Sequence, residues 1–105
     1  MKIFTLYIGM NEPGAGENIL RILGESFPSF TFIEGKGVFR GTLESMWFVK
    51  IATTDSRLAI RVAENIRSTL QQDSVGIEYD NRYYKCTAAD PASDLAKRLE
   101  AENVS

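Results

Sequence analysis

Histidine is absent from the 105 residues, and cysteine occurs once, as Cys86. The first absence removes the side chain that most often moves protons near neutral pH and most often ligates metals. The second excludes an internal disulfide and, with no histidine, leaves too few ligands for zinc. No spacing of carboxylates matches a calcium loop. No metal, cofactor or catalytic constellation is expected. Basic runs are lacking too: 12 Lys and Arg stand against 14 Asp and Glu, a net charge of −2. Non-specific nucleic-acid binding needs a basic face, and the nearest approach to one is Arg57, Arg61 and Arg67 on one predicted helix. Nucleic acid is therefore not the expected partner. No apolar run reaches transmembrane length, and the start Met-Lys leads straight into strand-like sequence rather than a leader. With its single thiol the chain reads as cytoplasmic.

What remains is ordinary globular material, 44% hydrophobic and 25% charged, of a length that suits one domain. Residues 2–9 (KIFTLYIG) form a first strand with apolar groups on both faces, which places it centrally. Residues 11–16 (NEPGAG) are a loop. Ile19, Leu20, Ile22, Leu23 and Phe27 recur at helical spacing over 16–26, and Pro28 stops that helix. Residues 29–34 make a second strand, Gly35-Lys36-Gly37 a turn, and Val38–Arg40 an extension of the hairpin up to Gly41. The third strand, 44–52, sets Trp47, Val49 and Ile51 against Met46 and Phe48 and is again central. Thr54 or Asp55 can cap a helix over 56–71 marked by Leu58, Val62, Ile66 and Leu70. Residues 74–79 are the fourth strand. Asp80-Asn81 is a turn pair that returns 83–86 as a short fifth strand. Asp90 caps a last helix with Pro91 at its first position, and 102–105 frays.

The order β-α-β-β-α-β followed by a strand and a helix is the ferredoxin-like α+β pattern. It predicts one domain over 1–105, with a core of about 2–79 and a C-terminal strand and helix over 80–101. The first and third strands are then central and the second and fourth lie at the edges. Two helices roof one face of the sheet. The other face needs the last helix or a second subunit if Trp47 or Tyr7 points that way.

The segments LYIGMNEPGAG at 6–16, FPSFTFIEGKGVFRGTLES at 27–45 and QQDSVGIEY at 71–79, with Cys86 after them, resemble a family of small bacterial proteins of unknown function. The shared features are a strand ending in an aromatic-x-Gly turn, a Phe-Pro segment, a Gly-x-aromatic-Arg hairpin followed by Glu, and a Gln-x-Ser-Val strand. The likeness implies a ferredoxin-like fold and no particular reaction. Two departures are that many members look exported, and that ENILRILGESF lacks the aromatic expected in the first helix. The element order is also similar to that of ferredoxin-like trimers of the nitrogen-regulatory and divalent-ion-tolerance types, an analogy of fold alone.

Four groups of residues are candidates for function. Lys36 and Arg40, in a stretch with three glycines, can hold a phosphate or carboxylate; equally, the glycines supply positive φ to a tight turn. Arg40 and Glu44 can pair across a turn, as anion clamp and general base or as a structural ion pair. Gln72 can bind a polar ligand or tie down a helix end. Tyr79, Arg82, Tyr83 and Tyr84 form an aromatic-cationic cluster suited to a protein partner, or simply packed across a hairpin. Cys86, with no histidine base, reads as a small buried residue. These observations favour a non-enzymatic, homo-oligomeric module that binds a protein partner or a small anionic ligand. Two alternatives stand beside it. One is a phage- or mobile-element-encoded inhibitor that blocks a host defence enzyme or sequesters a nucleotide signal. The other is a small acid–base enzyme using Glu44 and Arg40.

Overall fold

Phe4, Leu6 and Ile8, alternate residues of the first strand, are fully buried, and this alternation organises the molecule. The computed structural model describes residues 1–10 and 12–103. Asn11, in the predicted 11–16 loop, and the end of the tail expected to fray, residues 104–105, lie outside the described residues. The elements run β1 (Lys2–Gly9), α1 (Ala15–Ser26), β2 (Thr31–Phe39), β3 (Thr42–Thr53), α2 (Ser56–Thr69), β4 (Ser74–Tyr79), β5 (Arg82–Thr87) and α3 (Ser93–Asn103). The five strands form one antiparallel sheet in the order β2-β3-β1-β4-β5. This is the ferredoxin-like arrangement with a strand added. β1 and β3 are central, paired from Lys2↔Thr53 to Gly9↔Met46. β5 hydrogen-bonds to β4, so β4 is interior and the rims are β2 and β5.

On the inner face Phe4, Leu6 and Ile8 of β1 meet Val49 and Ile51 of β3 and Val75 and Ile77 of β4, all fully buried. Trp47 shares this face and is stacked on Phe32 at 4.4 Å. The helices lay their apolar stripes on this layer: Ala15, Ile19, Ile22 and Leu23 from α1, and Ala59, Val62, Ala63 and Ile66 from α2. Leu20, expected in the α1 stripe, is 39% exposed, because it falls beside the stripe rather than in it. The Asp55 carboxylate caps α2 by accepting from the Leu58 amide at 3.2 Å, which satisfies one of the orphan donors of the first turn.

α3 lies over the same inner face. Leu95 and Leu99 are fully buried, and α3 reaches the β4–β5 end through Tyr79 Oη to Glu102 (2.8 Å) and Arg98 to Tyr84 Oη (3.1 Å). The Asp90 side chain accepts from the Ser93 amide, the first of α3, at 2.8 Å, but it stands two residues before the cap position rather than in it. Pro91 is not the first helical residue, because it bridges back to Cys86 and the helix begins two residues later. All three helices therefore cover one face, and no described element covers the other.

The β2–β3 turn differs from the sequence reading. Gly35 and Gly37 lie inside β2, and the chain reverses at Arg40-Gly41, both at positive φ (51° and 79°). The other hairpin turns at Asp80-Asn81 as expected, also with positive φ (53° and 63°). Two successive left-handed residues give the twist that a two-residue hairpin needs.

Candidate functional site on the bare face of the sheet

The uncovered face carries Tyr7 from β1, Ile33 and Phe39 from β2, Glu44, Met46 and Phe48 from β3, and Tyr83 and Lys85 from β5. Three glycines explain how these large groups lie flat. A Cβ on Gly35 would stand 2.6 Å from the Phe48 ring, one on Gly37 2.3 Å from the Met46 sulfur, and one on Gly76 2.1 Å from Tyr83 Oη. Each glycine leaves a trough into which a side chain of the next strand folds. The result is an aromatic row, Phe48–Tyr7–Tyr83, with edge-on contacts at 5.4 and 5.6 Å. Tyr7 donates its hydroxyl proton to Glu78, which with partial burial pushes its pKa up to about 12. At neutral pH Tyr7 is a locked donor rather than a proton carrier.

At the hairpin end of this face is a groove of about 470 Å³. The end of β1, the β2–β3 arm, the 70–74 connection and the Gly76–Tyr83 trough form its walls. Glu44 and Gln72 both line it, brought together from distant parts of the chain by the strand order. Gln72 donates its amide to the Gly9 carbonyl, tying the 70–74 connection to the end of β1 rather than to the helix end. Its Oε1 is buried with no hydrogen-bond partner among the described residues. A buried acceptor left in that state costs free energy. Arg67 fixes the same connection by donating to the Gln72 carbonyl at 3.2 Å while gripping Glu64 at 2.7 and 2.9 Å. Among ionisable side chains the groove has three carboxylates, Glu12, Glu44 and Asp73, against one cation, Lys85.

The other candidates lie elsewhere. Lys36 points to the helix side of β2 and donates to Ser45 Oγ at 2.9 Å. Arg40 sits at the turn with its guanidinium 5.2 Å from the centre of the Phe39 ring, and no ion pair joins it to Glu44 among the described residues. The tyrosine cluster is divided by strand alternation. Tyr79 and Tyr84 lie on the inner side under α3, where burial and the bond to Glu102 push Tyr79 up to about 12. Tyr83 lies on the bare face, 56% exposed, and Arg82 is exposed beside the turn. Cys86 is fully buried and donates to Glu64, and burial first of all pushes its thiol up to about 12. A thiol so buried and so held in its protonated form is poorly suited to nucleophilic attack. The arginines of α2 each face a carboxylate, Arg57 with Glu100, Arg61 with Asp55 and Arg67 with Glu64. Sequence reasoning passed over Tyr7, Phe39, Met46 and Lys85 as groove residues. The period of two in β1 and β3 was the available signal for Tyr7 and Met46.

Among the described residues no cluster of His, Cys, Asp and Glu could hold a metal ion, and no helix is long and apolar enough to cross a membrane. No protein-family model and no curated protein matches the chain. Among solved structures it is similar to a phage SAM lyase in the apo state, at 18% sequence identity and a TM-score of 0.62, over 82% of this chain and 88% of that one. The two proteins share a fold, that of a helix-roofed antiparallel α+β sheet, and at this identity the likeness extends to the fold alone.

Proposed function

We propose that this chain is a small ligand-binding domain whose ligand lies in the bare-face groove and carries positive charge, as S-adenosylmethionine (SAM) does. One observation carries the reading: Glu44 and Gln72, the latter with a buried side-chain oxygen that has no partner among the described residues, line one groove in which carboxylates outnumber cations. A sulfonium or ammonium centre suits Glu44, and a flat base suits the faces of Phe39 and Tyr83. The expectation of an anionic ligand rested on Lys36 and Arg40, and neither lines this groove. Likeness in fold to a phage protein whose name includes SAM adds support from an independent direction. It also favours the phage-encoded alternative, in the form of a protein that withdraws a nucleoside metabolite from host enzymes. The acid–base alternative loses Arg40 as a partner and retains Glu44 alone.

Calorimetric titration of the purified chain with SAM tests this. Binding is expected, and Glu44→Gln is expected to weaken it by about tenfold, near 1.4 kcal/mol, the scale of one charge contact in a half-exposed groove. No heat of binding, or equal affinity in the variant, would remove the proposal. Disappearance of SAM during the titration, abolished by Glu44→Gln, would turn the reading toward the enzyme. The assembly half of the binding-module reading rests on different residues.

A further inference from the structure

β2 is a rim strand of nine residues that pairs only with β3, and none of its side chains is buried. It holds no proline, and it carries exposed Ile33 (62%), Val38 (72%) and Phe39 (57%). Long uncovered edges of this kind are templates for further pairing, and proteins normally blunt them. The opposite rim is blunted: β5 is only six residues long and is bridged by Pro91 at Cys86.

The order of residues along β2 is complementary to itself. In an antiparallel pair, residues directly opposite point to the same face. Placed against a second β2 with the two Gly35 residues opposite, Glu34 faces Lys36 and Lys36 faces Glu34. In the same register Phe32 faces Val38, Ile33 lies beside Gly37, and Thr31 faces Phe39. Shifting the centre by one residue either way sets Glu34 against Glu34 or Lys36 against Lys36. Charge thus selects one register, and the apolar pairs fall into place in it. Gly35 at the centre presents no side chain, and the Phe48 ring already covers its bare-face side.

We propose that β2 pairs edge to edge with the β2 of a second copy of this chain, antiparallel and centred on Gly35. The two-fold axis stands perpendicular to the sheet, so the two five-stranded sheets continue as one, with every helix on one side and both grooves on the other. Main-chain hydrogen bonds and the apolar pairs supply the attraction, while the exposed ion pairs mainly set register and choice of partner. This does not depend on the ligand reading.

Sedimentation equilibrium of the full chain at micromolar concentration decides it. The expected mass is twice the 11.7 kDa of the chain. Lys36→Glu, and independently Glu34→Lys, sets like charges opposite one another and is expected to return the chain to monomer. The double variant E34K/K36E restores opposite charges in reversed order and is expected to return the dimer. Both positions are exposed, and circular dichroism confirms that each variant is folded. A monomeric or trimeric wild type would overturn the proposal. So would a mass indifferent to both single changes, or a folded double variant that stays monomeric.

Discussion

Phe4→Ala is expected to cost about 3–5 kcal/mol, the range for deleting a buried aromatic ring. Phe4 is fully buried on the central strand, beneath the helices. Its ring is stacked on Tyr79 at 4.9 Å, so the change also removes an aromatic pair and leaves Tyr79 without a floor. A domain of this size has roughly 5–15 kcal/mol in all, so a substantial part of its stability should go. Urea denaturation followed by circular dichroism would register this as a large fall in midpoint at nearly constant slope. A fall of less than about 1 kcal/mol would mean that β1 is not the centre of the core.

A chain ended at Tyr79 is expected not to fold, although it retains the whole β-α-β-β-α-β set. The excised part holds Cys86, Ala92, Leu95 and Leu99, each 3% exposed or less. A fully buried leucine contributes about 1.5–3 kcal/mol, so the two leucines alone weigh against a total of roughly 5–15 kcal/mol. Removal of β5 also strips the hydrogen bonds from one side of β4, and loss of α3 uncovers the end of α2. The shortened chain should show no cooperative thermal transition. A sharp one would make β5 and α3 an appendage rather than part of the core.

The architecture was legible where the local pattern agreed with the tertiary one. β1 and β4 have the bounds that alternation predicts, and β3 and α2 differ only at their ends. The 80–81 turn was readable because Asp and Asn tolerate left-handed backbone. The β2–β3 turn was misplaced because Gly-Lys-Gly looks like a reversal. In the fold those glycines make room for Phe48 and Met46, and only the partner strand reveals that use. Arg40, a poor candidate for positive φ, carries the turn with Gly41.

The candidate site was half legible. Glu44 and Gln72 were picked separately, for possible pairing with Arg40 and for a place at the end of a helix. Their meeting in one groove follows from the sheet order, which sets the 70–74 connection beside the end of β1. Lys36 was grouped with Arg40 and Glu44 by nearness in sequence, but strand alternation turns it to the helix side. The same alternation parts Tyr83 from Tyr79 and Tyr84. That α3 joins the other two helices, leaving one face bare, depends on tertiary packing that no local signal carries.

The central claim is that the bare face, at the Glu44–Gln72 end, is where this protein meets its ligand. Amide nitrogen–proton NMR spectra recorded as SAM is added test it residue by residue. The account predicts shifts concentrated at Gly9, Glu44, Gln72, Gly76 and Tyr83, with the outer positions of α1 and α2 still. Unmoved spectra at saturating SAM, or shifts confined to the helical layer, would contradict it.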